Sequence, residues 1–309
     1  MTRGISVRTA AGVAVVAIGL AGCASTGGAE TSATPGDSVS VVASTTILGS
    51  VVGQIMECVG GQAQTLMPVG ADPHDYSPSS ADVAAMVNAT LVITNRLELE
   101  EGLTSALATA KEDGASVFEV GPELEPQPLA GTTDSPDPHV WMDVSRMATA
   151  ATMIGDELAT VTGDTNYATC GQAVGAALTV TDGEVRAILE TVPESSRILV
   201  TDHEAFGCFA DAYGYSVAGV VIPGGSTLSQ PSSSDMAALA DTVRTAGVKA
   251  IFANTSNPTA LVDALAQEVG EVAVVELYVG SLGESGSGAD TYQTMMLTNA
   301  QRIADALIA

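Results

Sequence analysis

Residues 78–86 read PSSADVAAM, and the second half of the chain contains the closely similar PSSSDMAAL at residues 231–239. Each copy follows an apolar run and a loop with proline and glycine, Pro68-Val69-Gly70 before the first and Pro223-Gly224-Gly225 before the second. A serine followed by proline is typical of a helix start, so we expect Ser77 as the N-cap and Pro78 as the first helical residue. Two copies of one strand, loop and helix unit predict two lobes of similar design.

Short runs of β-branched and apolar residues alternate with longer amphipathic stretches on both sides of these two helices, as in α/β proteins. Most of the runs are apolar on both faces, which predicts parallel strands covered by helices on both sides. The predicted fold class is therefore α/β, with two lobes that each hold a mostly parallel sheet flanked by helices. The predicted strands are 39–43, 64–69, 91–94, 116–120, 197–201, 216–222, 249–253 and 272–277.

The segment 164–192 has apolar residues near helical spacing and predicts a linking helix between the lobes. A helix of about 25 residues is roughly 38 Å long, enough to reach from one lobe to the other. Gly171, Gly175 and Gly183 oppose this prediction, because each glycine inside a helix costs about 1 kcal/mol relative to alanine. The predicted lobes are then residues 37–163 and 193–309.

The charge of the chain excludes one class of partner. Its 309 residues include 36 Asp and Glu against 10 Lys and Arg, a formal net charge of −26. The only lysines are Lys111 and Lys249, and the arginines are scattered, so no basic surface could neutralise a nucleic-acid backbone. With 46% hydrophobic and 15% charged residues, the chain has the composition of a folded protein.

The N-terminus predicts export. Arg3 and Arg8 precede an apolar run, 10–21, that is too short to span a bilayer and is typical of a secretory signal. It ends in Leu20-Ala21-Gly22-Cys23, which resembles the lipobox of bacterial lipoproteins, in which the cysteine is acylated. We therefore expect a signal peptide at 1–22, a lipid on Cys23 and a flexible tether at 23–36, placing the protein outside the cytoplasm on the cell membrane. The alternative is an uncleaved anchor with an incidental cysteine.

Three further cysteines, Cys58, Cys170 and Cys208, allow at most one intrachain disulfide in an oxidising compartment. The residues do not decide which two pair. Cys208 stands between Phe206 and Phe209, which favours burial as a small hydrophobic side chain over a role in metal binding.

The chain has three histidines, His74, His139 and His203, in similar local settings. The first two follow Asp-Pro directly, and all three lie where predicted strands or helices end. Neutral imidazole is a common ligand of Zn²⁺, and three imidazoles with one further ligand make a tetrahedral site. Taken alone, each could equally be a core or loop residue. Neighbouring carboxylates that could orient the rings are Asp72, Asp137, Asp143, Asp202 and Glu204.

At these motifs the chain resembles a known family. The strings PVGADPHDYSPSSADV, NRLELEEGL, DPHVWMDV, TDHEAFGCFADAYG and SLGESGSGADTYQTMMLTN resemble the metal-binding solute-binding lipoproteins of bacterial zinc and manganese ABC transporters, the ZnuA-like cluster A-I group. The resemblance spans residues 39–309. It implies two α/β lobes joined by one long rigid helix, with metal bound between them by His74, His139 and His203. It also implies a monomer that delivers metal to a membrane permease driven by an ATPase.

Two residues bear on the metal. In the manganese branch of this family a glutamate usually stands where His203 stands, so the resemblance implies Zn²⁺ rather than Mn²⁺. Many relatives have an aspartate directly before a late Ser-Leu pair, but here Gly280 precedes Ser281-Leu282. The fourth ligand could then be water, Glu284 or another residue. The segment 121–138, where many zinc members carry a histidine-rich loop, has no histidine and predicts a solvated surface loop.

Other functions remain as alternatives. A manganese or iron carrier of the same family and an adhesin-like surface lipoprotein are two of them. The third is a zinc-dependent hydrolase, in which an open coordination position would hold an activated water. The chain lacks the His-Glu-x-x-His, Gly-x-Ser-x-Gly, Walker A and Gly-x-Gly-x-x-Gly motifs, so we expect a binding protein and no enzyme.

Overall fold

The computed structural model describes residues 39–270 and 272–308. The predicted signal peptide, the tether and the acylation site Cys23 lie outside these ranges. Among the helices of the described part, none combines the length and the apolar character needed to cross a bilayer.

The first four strands form one parallel sheet in the order β2-β1-β3-β4. Its two central strands, β1 and β3, are fully buried, as expected for strands with helices on both faces. This sheet and its helices are called the N-lobe below. Its strands are β1 (Val41–Ala43), β2 (Ala63–Thr65), β3 (Leu91–Thr94) and β4 (Val117–Glu119), and its helices are α1 (Thr46–Cys58), α2 (Ser80–Val87), α3 (Thr104–Glu112) and α4 (Val120–Glu123).

Two long helices, α5 (Val144–Thr162) and α6 (Asn166–Leu189), stand between the sheets in the chain and pack against each other. Helix α6 coincides with the predicted linking helix. Two of its three glycines, Gly171 and Gly175, lie against the backbone of α5, whereas Gly183 has open space beside it. A Cβ atom on Gly155 would lie 2.7 Å from the Cα atom of Gly171, and one on Gly175 would lie 2.7 Å from a carbonyl oxygen of α5. The two backbones touch, and only glycine allows this approach.

The last four strands form a second parallel sheet, which with its helices is called the C-lobe. Its order, β6-β5-β7-β8, repeats that of the first sheet, so the prediction of two similar lobes is confirmed. Both sheets are parallel throughout. The elements are β5 (Ile198–His203), β6 (Ser216–Ile222), β7 (Ala250–Asn254), β8 (Ala273–Leu277), α7 (Gly207–Tyr213), α8 (Ser233–Ala246), α9 (Ala260–Val269) and α10 (Tyr292–Ile308).

The repeated motif starts a helix in both lobes, but not at the predicted residue. Ser79, not Ser77, is the N-cap of α2, and Pro78 lies before the helix. The reason is a capping box: the Asp82 backbone N–H donates to Ser79 Oγ at 3.2 Å, and the Ser79 N–H donates to Asp82 Oδ2 at 2.7 Å. Ser232 and Asp235 form the same pair at the start of α8. The Ser-x-x-Asp spacing therefore determines where both helices begin.

One apolar core runs through both lobes and the paired helices, and it includes Ile93 of β3, Leu178 of α6 and Phe252 of β7. A disulfide between Cys58 and Cys170 joins the end of α1 to α6, which decides the pairing that the sequence left open. Cys208 is a free thiol, 1% exposed, as its aromatic neighbours predict.

Candidate metal centre

The three histidines come from three separate parts of the fold. His74 lies in a turn between β2 and α2, and His139 directly precedes a 3-10 turn, Val140–Met142. His203 is the last residue of β5, two residues beyond the predicted end of that strand. All three side chains are buried, with exposures of 4%, 1% and 1%. Only His203 therefore ends a strand, while turns hold His74 and His139.

The fold brings the three imidazoles into one cluster. The Nε2 atoms of His74 and His139 are 3.4 Å apart. His203 lies against both rings, with ring centroids 5.9 Å from His74 and 5.1 Å from His139. One nitrogen from each ring lies within 4.8 Å of the other two. Three nitrogen donors at this separation can surround a single metal ion.

Two of the predicted carboxylates orient imidazole rings. Asp137 Oδ1 lies 2.9 Å from Nδ1 of His139, and Asp202 Oδ1 lies 3.0 Å from Nδ1 of His203. An ionised carboxylate can only accept, so Nδ1 of each ring carries a proton, and in the neutral form of each ring Nε2 keeps its lone pair. Such pairs fix the tautomer and the orientation of metal-binding histidines.

The other predicted carboxylates do not contact a ring. Asp72 accepts from the backbone N–H of His74 at 3.0 Å, and Nδ1 of His74 is buried without a hydrogen-bond partner. Asp143 caps helix α5 through the Ser145 N–H at 2.9 Å. Glu204 is half-buried and lies outside the cluster of three rings. Imidazole orientation by a carboxylate therefore holds for two of the three histidines.

Burial and mutual repulsion keep two of the rings neutral. Burial, helped by the neighbouring His139 and His203, lowers the pKa of His74 to about 2. Burial also lowers the pKa of His139, although Asp137 opposes it. Burial alone would lower the pKa of His203 too, but Asp202 and more distant carboxylates outweigh it and raise the pKa. In the metal-free site, a proton therefore goes to His203 first.

The structure does not bring Glu284, the predicted fourth ligand, to the cluster. Glu284 is exposed in the loop after Leu282, and no Asp, Glu or Cys among the described residues joins the three rings. Gly280, which stands where many relatives have an aspartate, allows the loop of His74 to approach closely. A Cβ atom there would lie 2.9 Å from Cδ of Pro73, so the loop that carries His74 packs on bare backbone. The described residues thus place three nitrogen donors together, with no side-chain oxygen or sulfur donor beside them.

A support for His139 was missed by the sequence reasoning. Glu100 is 1% exposed, and its carboxylate accepts from the Asn95 N–H at 2.8 Å and from the next N–H at 2.7 Å. It thereby holds a left-handed turn at residues 96–98, and the Asn95 side chain donates to the Pro138 carbonyl at 2.9 Å, directly before His139. These residues lie in the NRLELEEGL string, but no local pattern predicts a left-handed turn without glycine.

Comparison with known proteins decides the family. Residues 41–306 match the family model ZnuA, described as "Zinc-uptake complex component A periplasmic". The chain belongs to this family. As a member of the ZnuA family it is a metal-binding solute-binding component of an ABC transporter, which works with a membrane permease and an ATPase, and it is not an enzyme. The prediction of a binding protein is confirmed, and the hydrolase is excluded.

Individual ZnuA-family relatives differ in the metal that their names give. The zinc-binding protein TroA of Treponema pallidum is 33% identical over 271 residues, covering 83% of this chain and 87% of TroA. The manganese-binding lipoprotein MntA of Halalkalibacterium halodurans is 28% identical over 294 residues, covering 93% and 94%. The iron ABC transporter substrate-binding lipoprotein MtsA of Streptococcus pyogenes is 24% identical over 300 residues, covering 93% and 94%.

The solved structure of TroA has the same fold. It superimposes with a TM-score of 0.79 at 30% sequence identity, covering 88% of this chain and 99% of TroA. The predicted α/β architecture of two lobes is therefore confirmed for this ZnuA-family chain by its own sheets and by a relative.

Proposed function

We propose that this protein captures Zn²⁺ outside the cytoplasm with His74, His139 and His203 and delivers it to the permease of its ABC transporter. The observation that carries the proposal is the convergence of three buried imidazole nitrogens within 4.8 Å of one another. Two of these rings are already held by Asp137 and Asp202 in the tautomer that presents Nε2. Little rearrangement is then needed for the ion to bind.

The donor set favours zinc over manganese. Zn²⁺ accepts nitrogen ligands in a tetrahedral arrangement, whereas Mn²⁺ prefers carboxylate, carbonyl and water oxygens. The cluster offers nitrogen only, because no carboxylate of the described residues joins it. In this proposal a water molecule takes the fourth position, and Glu284 remains in solvent. Manganese and iron, which the names of relatives give, are the alternative cargo.

Calorimetric titration of zinc and manganese into the metal-free protein tests this assignment. His74→Ala, His139→Ala and His203→Ala should each weaken zinc binding at least tenfold, because each removes one of three protein ligands. Glu284→Ala is the matched control and should bind zinc as the wild type does. A histidine variant with wild-type affinity would remove that residue from the ligand set. Weaker binding by Glu284→Ala would restore this residue as the fourth ligand.

Metal preference needs its own comparison, because most nitrogen sites bind zinc more tightly than manganese. His203→Glu replaces a nitrogen ligand by an oxygen ligand. It should reduce zinc affinity more than manganese affinity and so narrow the ratio of the two dissociation constants. A wild-type protein that binds manganese more tightly than zinc would contradict the zinc assignment.

In the proposed setting the protein is a monomer held at the outer face of the membrane by a lipid on Cys23. The residues after Cys23 then act as the tether between the lipid and the lobes. Cys23→Ser should move the protein from the membrane fraction to the soluble fraction of the cells that express it, and size-exclusion chromatography should give the mass of one chain. A Cys23→Ser variant that stays with the membrane would contradict lipid anchoring.

A further inference from the structure

Asp72 connects the loop of His74 to the other lobe. Its Oδ1 accepts from the His74 backbone N–H at 3.0 Å, within the N-lobe. Its Oδ2 faces the C-lobe, where the Thr227 hydroxyl, in the loop after β6, donates to it at 2.5 Å. The Asn257 amide, in the loop after β7, donates to the same oxygen at 2.8 Å in the orientation that also satisfies the Ser256 carbonyl. One carboxylate thus joins a candidate metal ligand to two loops of the opposite lobe.

We propose that Thr227 and Asn257 hold Asp72 as an interlobe clasp that keeps His74 in place and slows the release of bound metal. The inference rests on the proposed function, because it concerns release of the same metal from the same site. Neither Thr227 nor Asn257 belongs to the cluster of three imidazoles. Thr227 is a positioning residue that acts on His74 through Asp72. Asn257 is a positioning residue as well, and its side-chain amide also lies 3.4 Å from Oδ2 of Asp202, the carboxylate on His203.

His74 depends on such support more than the other two histidines do. The rings of His139 and His203 each have a carboxylate on Nδ1, whereas Nδ1 of His74 has no partner. The position of the His74 ring is therefore determined mainly by its backbone turn. That turn is held by Asp72 on one side and by the contact of Pro73 with Gly280 on the other.

The carboxylate of Asp72, which accepts both clasp hydrogen bonds, is only half-buried and lies next to loops on the surface. Losing one hydrogen bond to a charged acceptor changes an equilibrium or rate constant by about tenfold. Because the clasp spans the two lobes, its loss should act on metal release more than on the folding of either lobe. The two effects can be measured separately.

Stopped-flow transfer of zinc from the loaded protein to an excess of chelator tests the clasp. Thr227→Val removes the hydroxyl at nearly constant volume and should raise the dissociation rate about tenfold. Thr227→Ser keeps the hydroxyl and should release zinc at the wild-type rate. Asn257→Ala removes the second donor to Asp72 and should also release zinc faster; because Asn257 lies near Asp202 too, the Thr227 pair is the more specific test. The thermal midpoint of each metal-free variant should stay near that of the wild type.

Gln293→Ala is the matched control. Gln293 of α10 and Gln54 of α1 form another hydrogen-bonded contact between the lobes, at 2.7 Å and 3.2 Å, without touching the histidine loops. Its loss should leave the zinc dissociation rate unchanged. If Gln293→Ala accelerated zinc release as much as the clasp variants do, the effect would be a general one of interlobe contacts, and the clasp would be overturned. Zinc release at the wild-type rate from both Thr227→Val and Asn257→Ala would also overturn it. Wild-type protein that takes up no metal would overturn the proposed function itself, and the clasp with it.

Discussion

Nε2 of His74 and Nε2 of His139 face each other at 3.4 Å, although 65 residues separate the two histidines in the chain. At this distance two protonated rings would repel each other strongly, and both side chains are buried. The metal-free fold therefore holds at least His74 neutral, and this makes the stability of the protein depend on pH.

The metal-free protein should lose stability as the pH falls below about 6.5. In the folded state the pKa of His74 is lowered to about 2, whereas in the unfolded chain it is near 6.5. Between these values the unfolded chain binds more protons, so stability is fully present above pH 6.5 and declines below it. One such group contributes about 1.4 kcal/mol per pH unit. His139 acts in the same direction, and His203, with its raised pKa, acts in the opposite one.

Urea unfolding of metal-free wild type and His74→Asn between pH 5 and pH 7.5 measures this dependence. The variant should lose the contribution of His74, so its free energy of unfolding should vary less steeply with pH, by about 1.4 kcal/mol per pH unit. Parallel curves for the two proteins would contradict a neutral, buried His74.

The contact between α5 and α6 should not tolerate a methyl group. Gly171→Ala places a Cβ atom 2.7 Å from the Ala151 carbonyl oxygen and from Gly155, so we expect a loss of about 2 kcal/mol or more in unfolding free energy. Gly183→Ala, in the same helix, is the control. It meets nothing within 4 Å and should stabilise the protein by about 0.5–1 kcal/mol. Chemical denaturation gives both values, and equal effects at the two sites would disprove the close contact.

The two capping boxes should contribute similarly to stability. Ser79→Ala and Ser232→Ala each remove a side chain that accepts from a helix N–H, and each should cost about 1 kcal/mol of unfolding free energy. Their neighbours Ser80 and Ser233 are exposed first residues of the same helices, so alanine there should change stability by less than about 0.5 kcal/mol. If Ser77→Ala were the costly change in the first lobe, the original N-cap prediction would be right.

The disulfide should stabilise the protein because it closes a long loop. Cys58 and Cys170 are 112 residues apart, and closing a loop of that length destabilises the unfolded chain by about 5 kcal/mol. Reduction of the wild type should lower the unfolding free energy by about this amount. The double variant Cys58→Ala/Cys170→Ala should be equally destabilised and should not respond to reductant. A wild type insensitive to reduction would argue against the bond.

Local signals in the sequence predicted much of the fold. The apolar runs located all eight strands of the described chain within a few residues. The repeated motif located two helix starts, but the Ser-Pro pair placed the start of α2 two residues too early. Ser79 caps α2 because Asp82 forms reciprocal hydrogen bonds with it, and these outweigh the preference of Pro78 for the first helical position. These features depend on neighbours in the chain, so a sequence contains them directly.

For the candidate site, too, the sequence predicted some features and only the tertiary structure decided others. Through the family resemblance, the motifs around the histidines made His74, His139 and His203 the candidate ligands, and the fold brings their rings together, whereas Glu284 stands apart from them. Only the tertiary structure decided that Asp137 and Asp202 orient rings while Asp72 does not, and that Asp72 reaches Thr227 in the other lobe. It also decided that Cys58 pairs with Cys170 and that Gly155 meets Gly171. The sequence by itself determined which elements form and which residues could bind metal, because these depend on local spacing and side-chain chemistry. Contacts across long separations depend on how the two lobes and their helices pack, which no local pattern specifies.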